Sequence, residues 1–121
     1  MCHVLWSGHV GGIERLVCDL AQEQSERGMR VTVAFGSQAR ALRVPLESAG
    51  IEIVDLGFER GFTWRGQQMR KAVECLKSVD VIHLHGYNRV FVVATQRAAR
   101  PIVFTEHGNF GHARARSLAG T

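Results

Sequence analysis

The sequence predicts an α/β chain in which a parallel sheet carries helices on both faces. Three observations predict it: short β-branched and apolar runs alternate with helical stripes, a glycine turn joins the first run to the first stripe, and the connections are long enough for crossover helices. With 121 residues, the chain is one domain, able to bury about two-thirds of its unfolded surface. Right-handed crossovers then give the strand order 3-2-1-4-5, a doubly wound sheet with its switch point between strands 1 and 4.

The elements follow in order. His3-Val4-Leu5-Trp6 reads as a strand that runs into Ser7-Gly8-His9-Val10-Gly11-Gly12. Ile13, Leu16, Val17, Leu20 and Ala21 form an apolar helical stripe opposite Glu14, Arg15, Asp19, Glu23 and Arg27, with Gly28 as the stop. Arg30 to Phe35 is the second strand. Ala39 to Ala49 is a helix interrupted, or started late, by Pro45, whose nitrogen cannot donate. Ile51 to Leu56 is the third strand, and the loop from Gly57 to Trp64 follows at its carboxyl end. Met69, Ala72, Val73 and Leu76 make the next helical stripe, ending near Ser78, and Val79 to His85 the fourth strand. Val90 to Ala99 is apolar nearly all round, as a packed helix would be, although such a run also suits a strand. Arg100 to Thr105 is the fifth strand, with Pro101 near its start. The tail from Glu106 to Thr121 is rich in glycine and arginine and has little apolar periodicity.

Composition narrows the function classes. An apolar share of 45% with 21% charged residues is that of a folding globular chain. No run approaches the roughly 20 apolar residues of a membrane span, and Met1-Cys2-His3 lacks the basic region of a signal peptide. Cys2, Cys18 and Cys75 show no Cys-x-x-Cys spacing, and Cys18 and Cys75 lie on apolar stripes, so reduced, buried thiols of a cytoplasmic protein are expected. The net charge of +4 comes mainly from arginine, including Arg60, Arg65, Arg70, Arg97, Arg100, Arg114 and Arg116. That excess suits an anionic partner, whether sugar nucleotide, acidic glycan, lipid headgroup or nucleic acid, and equally suits a solvated surface.

Ligands of doubly wound sheets bind beyond the carboxyl ends of the strands, at the switch point. Gly11-Gly12 opens a helix there, so backbone amides and the helix dipole face any anion that approaches. A tight turn alone would also call for glycines. The loop lacks the G-x-G-x-x-G spacing and no acidic residue closes strand 2, where Phe35-Gly36 stands, so a nicotinamide cofactor is disfavoured. His83 and His85 face one side of their strand and His107 follows strand 5 at the same edge. These histidines can be zinc ligands. No carboxylate-rich constellation completes a metal site, however, so the expectation is no metal, a structural His83, and substrate contacts from His85 and His107.

Several strings in order carry a family resemblance: Gly11-Gly12-Ile13-Glu14-Arg15, Leu20-Ala21, Arg27-Gly28-Met29-Arg30-Val31-Thr32-Val33, Asp80-Val81-Ile82-His83-Leu84-His85-Gly86, and Val103-Phe104-Thr105-Glu106-His107-Gly108. Together they resemble the N-terminal domain of family-4 glycosyltransferases. The resemblance implies a GT-B architecture of two Rossmann-like domains, of which residues 1–121 are the N-terminal, acceptor-side half. It implies sugar transfer from a nucleotide-sugar donor to a glycan or lipid acceptor, with retention and without a metal or other cofactor, as in polysaccharide or lipopolysaccharide biosynthesis. By the same resemblance, Gly11 and Gly12 bind the donor and His107 is the catalytic contact to the transferring sugar. His85, Tyr87, Asn88 and the Phe58 to Trp64 segment, Phe62 and Trp64 in particular, contact the acceptor. The nucleotide-binding C-terminal domain with its Glu-x7-Glu motif has no counterpart here, so the chain alone is expected to be inactive and to need that missing domain as partner. The face the missing half would cover leaves self-association open.

Two readings from other classes stand beside this one. Arg97, Arg100, Arg114 and Arg116 suit a non-catalytic module binding anions or nucleic acid, although no interleaved aromatics offer base stacking, which disfavours nucleic acid. Arg65, Arg70, Lys71 and Lys77 suit a peripheral contact with an anionic membrane.

Overall fold

The structure is a computed structural model, and it describes residues 1–6, 11–58, 66–86 and 89–105. Strand β1 (Cys2–Leu5) leads to helix α1 (Gly12–Glu26) and strand β2 (Thr32–Phe35). A 3-10 turn (Arg40–Leu42) runs into α2 (Arg43–Ser48), followed by β3 (Glu52–Asp55), α3 (Gln67–Lys77), β4 (Ile82–His85), α4 (Arg89–Ala98) and β5 (Ile102–Thr105). All the strand pairings are parallel and the order is β3-β2-β1-β4-β5, as the alternation of strands and helices predicts.

Burial falls from the centre of the sheet outward. β1 and β2 are buried along their whole length, whereas Ile102, Val103 and Phe104 of the edge strand β5 stay half exposed. The two-residue period of a strand sorts the core into two layers. Cys2, Val4, Ile82 and Leu84 turn to one face and pack with Met69, Ala72 and Leu76 of α3 and Phe91 and Ala94 of α4. Leu5, Val33 and Phe35 turn to the other and pack with Val17 and Ala21 of α1 and Leu46 of α2.

Two helices stop by the same device. Gly28 adopts φ +88° after α1, with Gly28 N–H donating to Ser25 at 3.0 Å and Met29 N–H to Gln24 at 3.0 Å. Gly50, at φ +77°, repeats this after α2, its N–H donating to Glu47 at 2.9 Å and that of Ile51 to Leu46 at 3.1 Å. Both are left-handed caps that satisfy otherwise orphaned carbonyls. The α-helix of this segment starts late, at Arg43 after the 3-10 turn, and Pro45 sits in its first turn without breaking it. The apolar run after β4 is helical: β4 and β5 pair in parallel, and a parallel pair needs a crossover between its strands.

Among the described residues, no helix is long and apolar enough to cross a membrane. The cysteines are free thiols; Cys2 and Cys18 are buried, whereas Cys75 is only partly so. The neighbouring Cys75 thiol and burial together raise the Cys2 thiol well above its ordinary value.

Candidate functional site

The switch point lies where β1 and β4 run side by side, with helices leaving in opposite directions along the sheet. It brings Gly11, Gly12 and His85 to one sheet edge, because α1 begins just beyond β1 and His85 ends β4. Phe62, Trp64, Tyr87, Asn88 and His107 lie outside the described residues.

Gly11 is the N-cap of α1, and no side chain caps the helix start. Its backbone is extended, at φ -162°, a conformation open to any residue. Among the described residues, no heavy atom lies within 4 Å of where a Gly12 Cβ would project, and neither glycine of the pair has a positive φ. No described side chain covers the amide end of α1. Glu14 complicates this opening, since its carboxylate lies 2.6 Å from where a Gly11 Cβ would stand. It occupies the first helical turn, where the positive end of the dipole favours a carboxylate, and an incoming anion must displace it.

At the carboxyl end of β1, on the α3–α4 side of the sheet, stands an aromatic group whose Trp6 and Phe58 read in the sequence only as strand and loop. Trp6, at the carboxyl end of β1, is 44% exposed and its ring centroid lies 6.0 Å from that of Phe91. Phe58 packs against Phe91 from the other side, at 6.2 Å. Phe58 is 3% exposed, so this member of the Phe58 to Trp64 segment belongs to the core and not to an acceptor-binding surface. Its ring fills the layer between sheet and α3–α4, where apolar burial outweighs display to solvent. Trp6, which no motif marks, offers an exposed aromatic face at the edge. Its position directly after a strand and before the glycine loop is the signal that could have identified it.

The histidines form a connected group. His3 Nδ1 lies 2.9 Å from His85 Nε2, and His3 Nε2 lies 2.7 Å from Gln24 Oε1 on α1. His83 Nε2 lies 2.7 Å from Thr105 Oγ1 on β5, and the His83 and His85 rings stack at 3.9 Å. His85 is 7% exposed, so it stands in the wall of the edge with only its margin open. His3 is fully buried, and burial pushes its imidazole below the ordinary value of 6.5 against the opposing bond to Gln24. The sequence reading missed His3 because it counted neighbours along one strand. The parallel register, in which His3 pairs with His83, supplies the link.

The charged residues of the competing readings are partly committed to the fold. Arg100 donates to the Lys77 carbonyl at 3.1 and 2.9 Å, closing the carboxyl end of α3. Lys71 Nζ donates to the Asp55 carbonyl at 3.1 Å. A cavity of about 570 Å³ opens at the opposite end of the sheet, between Met29, Arg30, Glu52 and Asp80. It lies at the amino ends of the strands and hence at the carboxyl ends of the helices, whose partial negative charge repels an anion. Size alone does not make it the better site.

Known proteins match this picture. The model of Glycosyltransferase Family 4 matches residues 10–120. None of the curated proteins compared matches the sequence. Among solved structures, Anabaena Alr3699/HepE in complex with UDP and glucose superposes with a TM-score of 0.68 at 24% identity, over 93% of this chain and 31% of that one. The same protein in complex with UDP gives 0.66 at 22%, over 85% and 28%. The chain thus spans about a third of the length of those structures. The C-terminal domain of the PF1911 hydrogenase from Pyrococcus furiosus shares the fold at a TM-score of 0.55 and 13% identity, over 87% of this chain and 90% of that one. With the family model spanning nearly all of its length, the chain belongs to Glycosyltransferase Family 4.

Proposed function

We propose that the chain is the acceptor-side half of a retaining, two-domain glycosyltransferase, and that its carboxyl edge closes over a nucleotide-sugar donor held by a second domain. One observation carries this reading: in a chain of this family, the amide end of α1 stands at the switch point with no described side chain over Gly12. The UDP and glucose bound by Anabaena HepE support a nucleotide sugar as donor.

The chemistry follows from the groups at the edge. Breaking the bond from sugar to diphosphate leaves negative charge on the departing phosphate. Amides at a helix start, fixed in direction before the reaction, stabilise such charge without reorganising. Glu14 yields its place to the diphosphate. Trp6 gives a sugar ring an apolar face, and His85, held by His3, stiffens the wall. His107 contacts the transferring sugar, while Tyr87, Asn88, Phe62 and Trp64 meet the glycan or lipid acceptor. Transfer needs donor and acceptor held in register, a large part of the rate enhancement, so this edge acts together with a nucleotide-binding domain.

A transfer assay tests the reading, using a polypeptide that joins this domain to a nucleotide-binding second domain and a panel of nucleotide sugars. Turnover is expected from at least one donor, with strong loss in Gly12→Val and in His107→Ala. Absence of turnover across the panel in the unsubstituted two-domain polypeptide overturns it.

A further inference from the structure

Three imidazoles converge beneath the carboxyl edge, on the α1 side of the sheet. His3 on β1 lies opposite His83 on β4 in the parallel register, and the two-residue period brings His85 to the same face. One ring nitrogen from each of His3, His83 and His85 lies within 4.8 Å of the other two, and His3 and His85 are buried while His83 is partly so. We propose that this trio binds one divalent transition-metal ion of the zinc class, with a solvent molecule in the fourth position.

The donor set selects the metal. Neutral imidazole suits zinc, copper or nickel, whereas magnesium and calcium require oxygen ligands that this cluster does not offer. The fourth place of a three-histidine site falls to water, as in other open zinc sites.

The surrounding bonds anchor the rings from outside the cluster. Gln24 Oε1, 2.7 Å from His3 Nε2, accepts the hydrogen on that nitrogen and leaves the Nδ1 lone pair pointing at His85. A ligating histidine is ordinarily held this way, its second nitrogen bonded to an outer acceptor that fixes tautomer and orientation. Thr105 Oγ1 holds His83 from the β5 side, 2.7 Å from its Nε2.

The imidazoles rotate to close on the ion, since their nitrogens are held within 4.8 Å of one another while the His83 and His85 rings stack at 3.9 Å. Zinc–nitrogen bonds of about 2.0–2.1 Å in a tetrahedron separate the nitrogens by about 3.3 Å. His3 Nδ1 and His85 Nε2 stand 2.9 Å apart, so they part by a few tenths of an ångström as the ion enters. His85 then carries its hydrogen on Nδ1. The strands themselves need not move, since β1 and β4 are the paired centre of the sheet. Occupied, the site ties β1, β4 and, through Gln24, α1 together beneath the candidate donor edge. It takes no part in sugar transfer, and its existence does not depend on the proposed activity.

The test uses the full chain, stripped with chelator and titrated with zinc chloride by calorimetry, with cobalt chloride as spectroscopic probe. One equivalent of zinc should bind, cobalt should develop the visible absorption of a tetrahedral ion, and magnesium chloride should give no heat. His83→Ala should abolish binding. Gln24→Ala, which keeps all the ligands and touches only the outer bond, should weaken it by roughly 10–100-fold and keeps the proposal open to refutation if the histidine variant misfolds. No zinc uptake at micromolar concentration overturns the proposal. So does uptake unchanged in both variants, which assigns the ion to His9, His107 or His112.

Discussion

Alanine at Gly36 and alanine at Gly12 should have opposite effects, and the contrast separates what the fold requires from what a ligand requires. A Cβ on Gly36 would stand 2.5 Å from Trp6 Cε3 and 2.6 Å from Phe91 Cζ. Carbon atoms in contact prefer about 3.5–4.0 Å, so the overlap is about 1 Å against two rings. Phe91 is buried against Phe58 and cannot retreat, while Trp6 is 44% exposed and can swing outward. Overpacking with one partner able to yield costs about 1–3 kcal/mol. In a domain of this size that is a fall in Tm of roughly 3–15 °C. At Gly12 no described atom lies within 4 Å and φ is not positive, so alanine meets no obstacle among the described residues. Restricting the unfolded chain there should stabilise by up to about 1 kcal/mol. Urea unfolding followed by far-UV circular dichroism measures both without relying on the altered tryptophan environment. A neutral Gly36→Ala, or a Gly12→Ala that loses more than about 1 kcal/mol, refutes the reasoning, the second outcome because the fold would then itself demand the glycine.

Other outcomes follow from single residues. Glu14→Gln removes the carboxylate that competes for the start of α1, so binding of pyrophosphate by the domain, read by calorimetry at low salt, should strengthen several-fold and lose part of that gain as salt is added. Gly28→Ala places a side chain at φ +88° and should cost about 1 kcal/mol in urea unfolding, in contrast to the gain expected at Gly12. Burial lowers the pKa of His3, whose ring meets His83, His85 and Gln24, so in metal-free protein the unfolded chain binds the proton more readily. The resulting stability is complete above the unfolded value of 6.5 and is lost as pH falls from there through the folded value. Thermal unfolding across that range should show a slope that shrinks in His3→Gln.

Much of this architecture is legible in residue order because each element announces itself locally. Ile13, Leu16, Val17, Leu20 and Ala21 mark one helix face, Gly28 marks its end, and the β-branched run to Phe35 starts a new strand. Right-handed crossovers then narrow the strand orders to a few, of which 3-2-1-4-5 is the one observed, without side-chain detail. What local reading misses is lateral. His3 and His83 are 80 residues apart in sequence and become neighbours only when β1 and β4 pair. Phe58 looks like a loop aromatic because its burial depends on Phe91, contributed by a helix that forms much later in the chain. Pro45 reads as a breaker by type, whereas position decides its effect, and the first helical turn has no bond for it to break.

A structure of the two-domain polypeptide with a bound nucleotide sugar tests most directly whether a sugar donor meets the amide end of α1. The diphosphate should lie in van der Waals contact with Gly12, with Glu14 turned away. A diphosphate remote from Gly11 and Gly12, or a donor seated at the amino edge between Arg30 and Asp80, contradicts it.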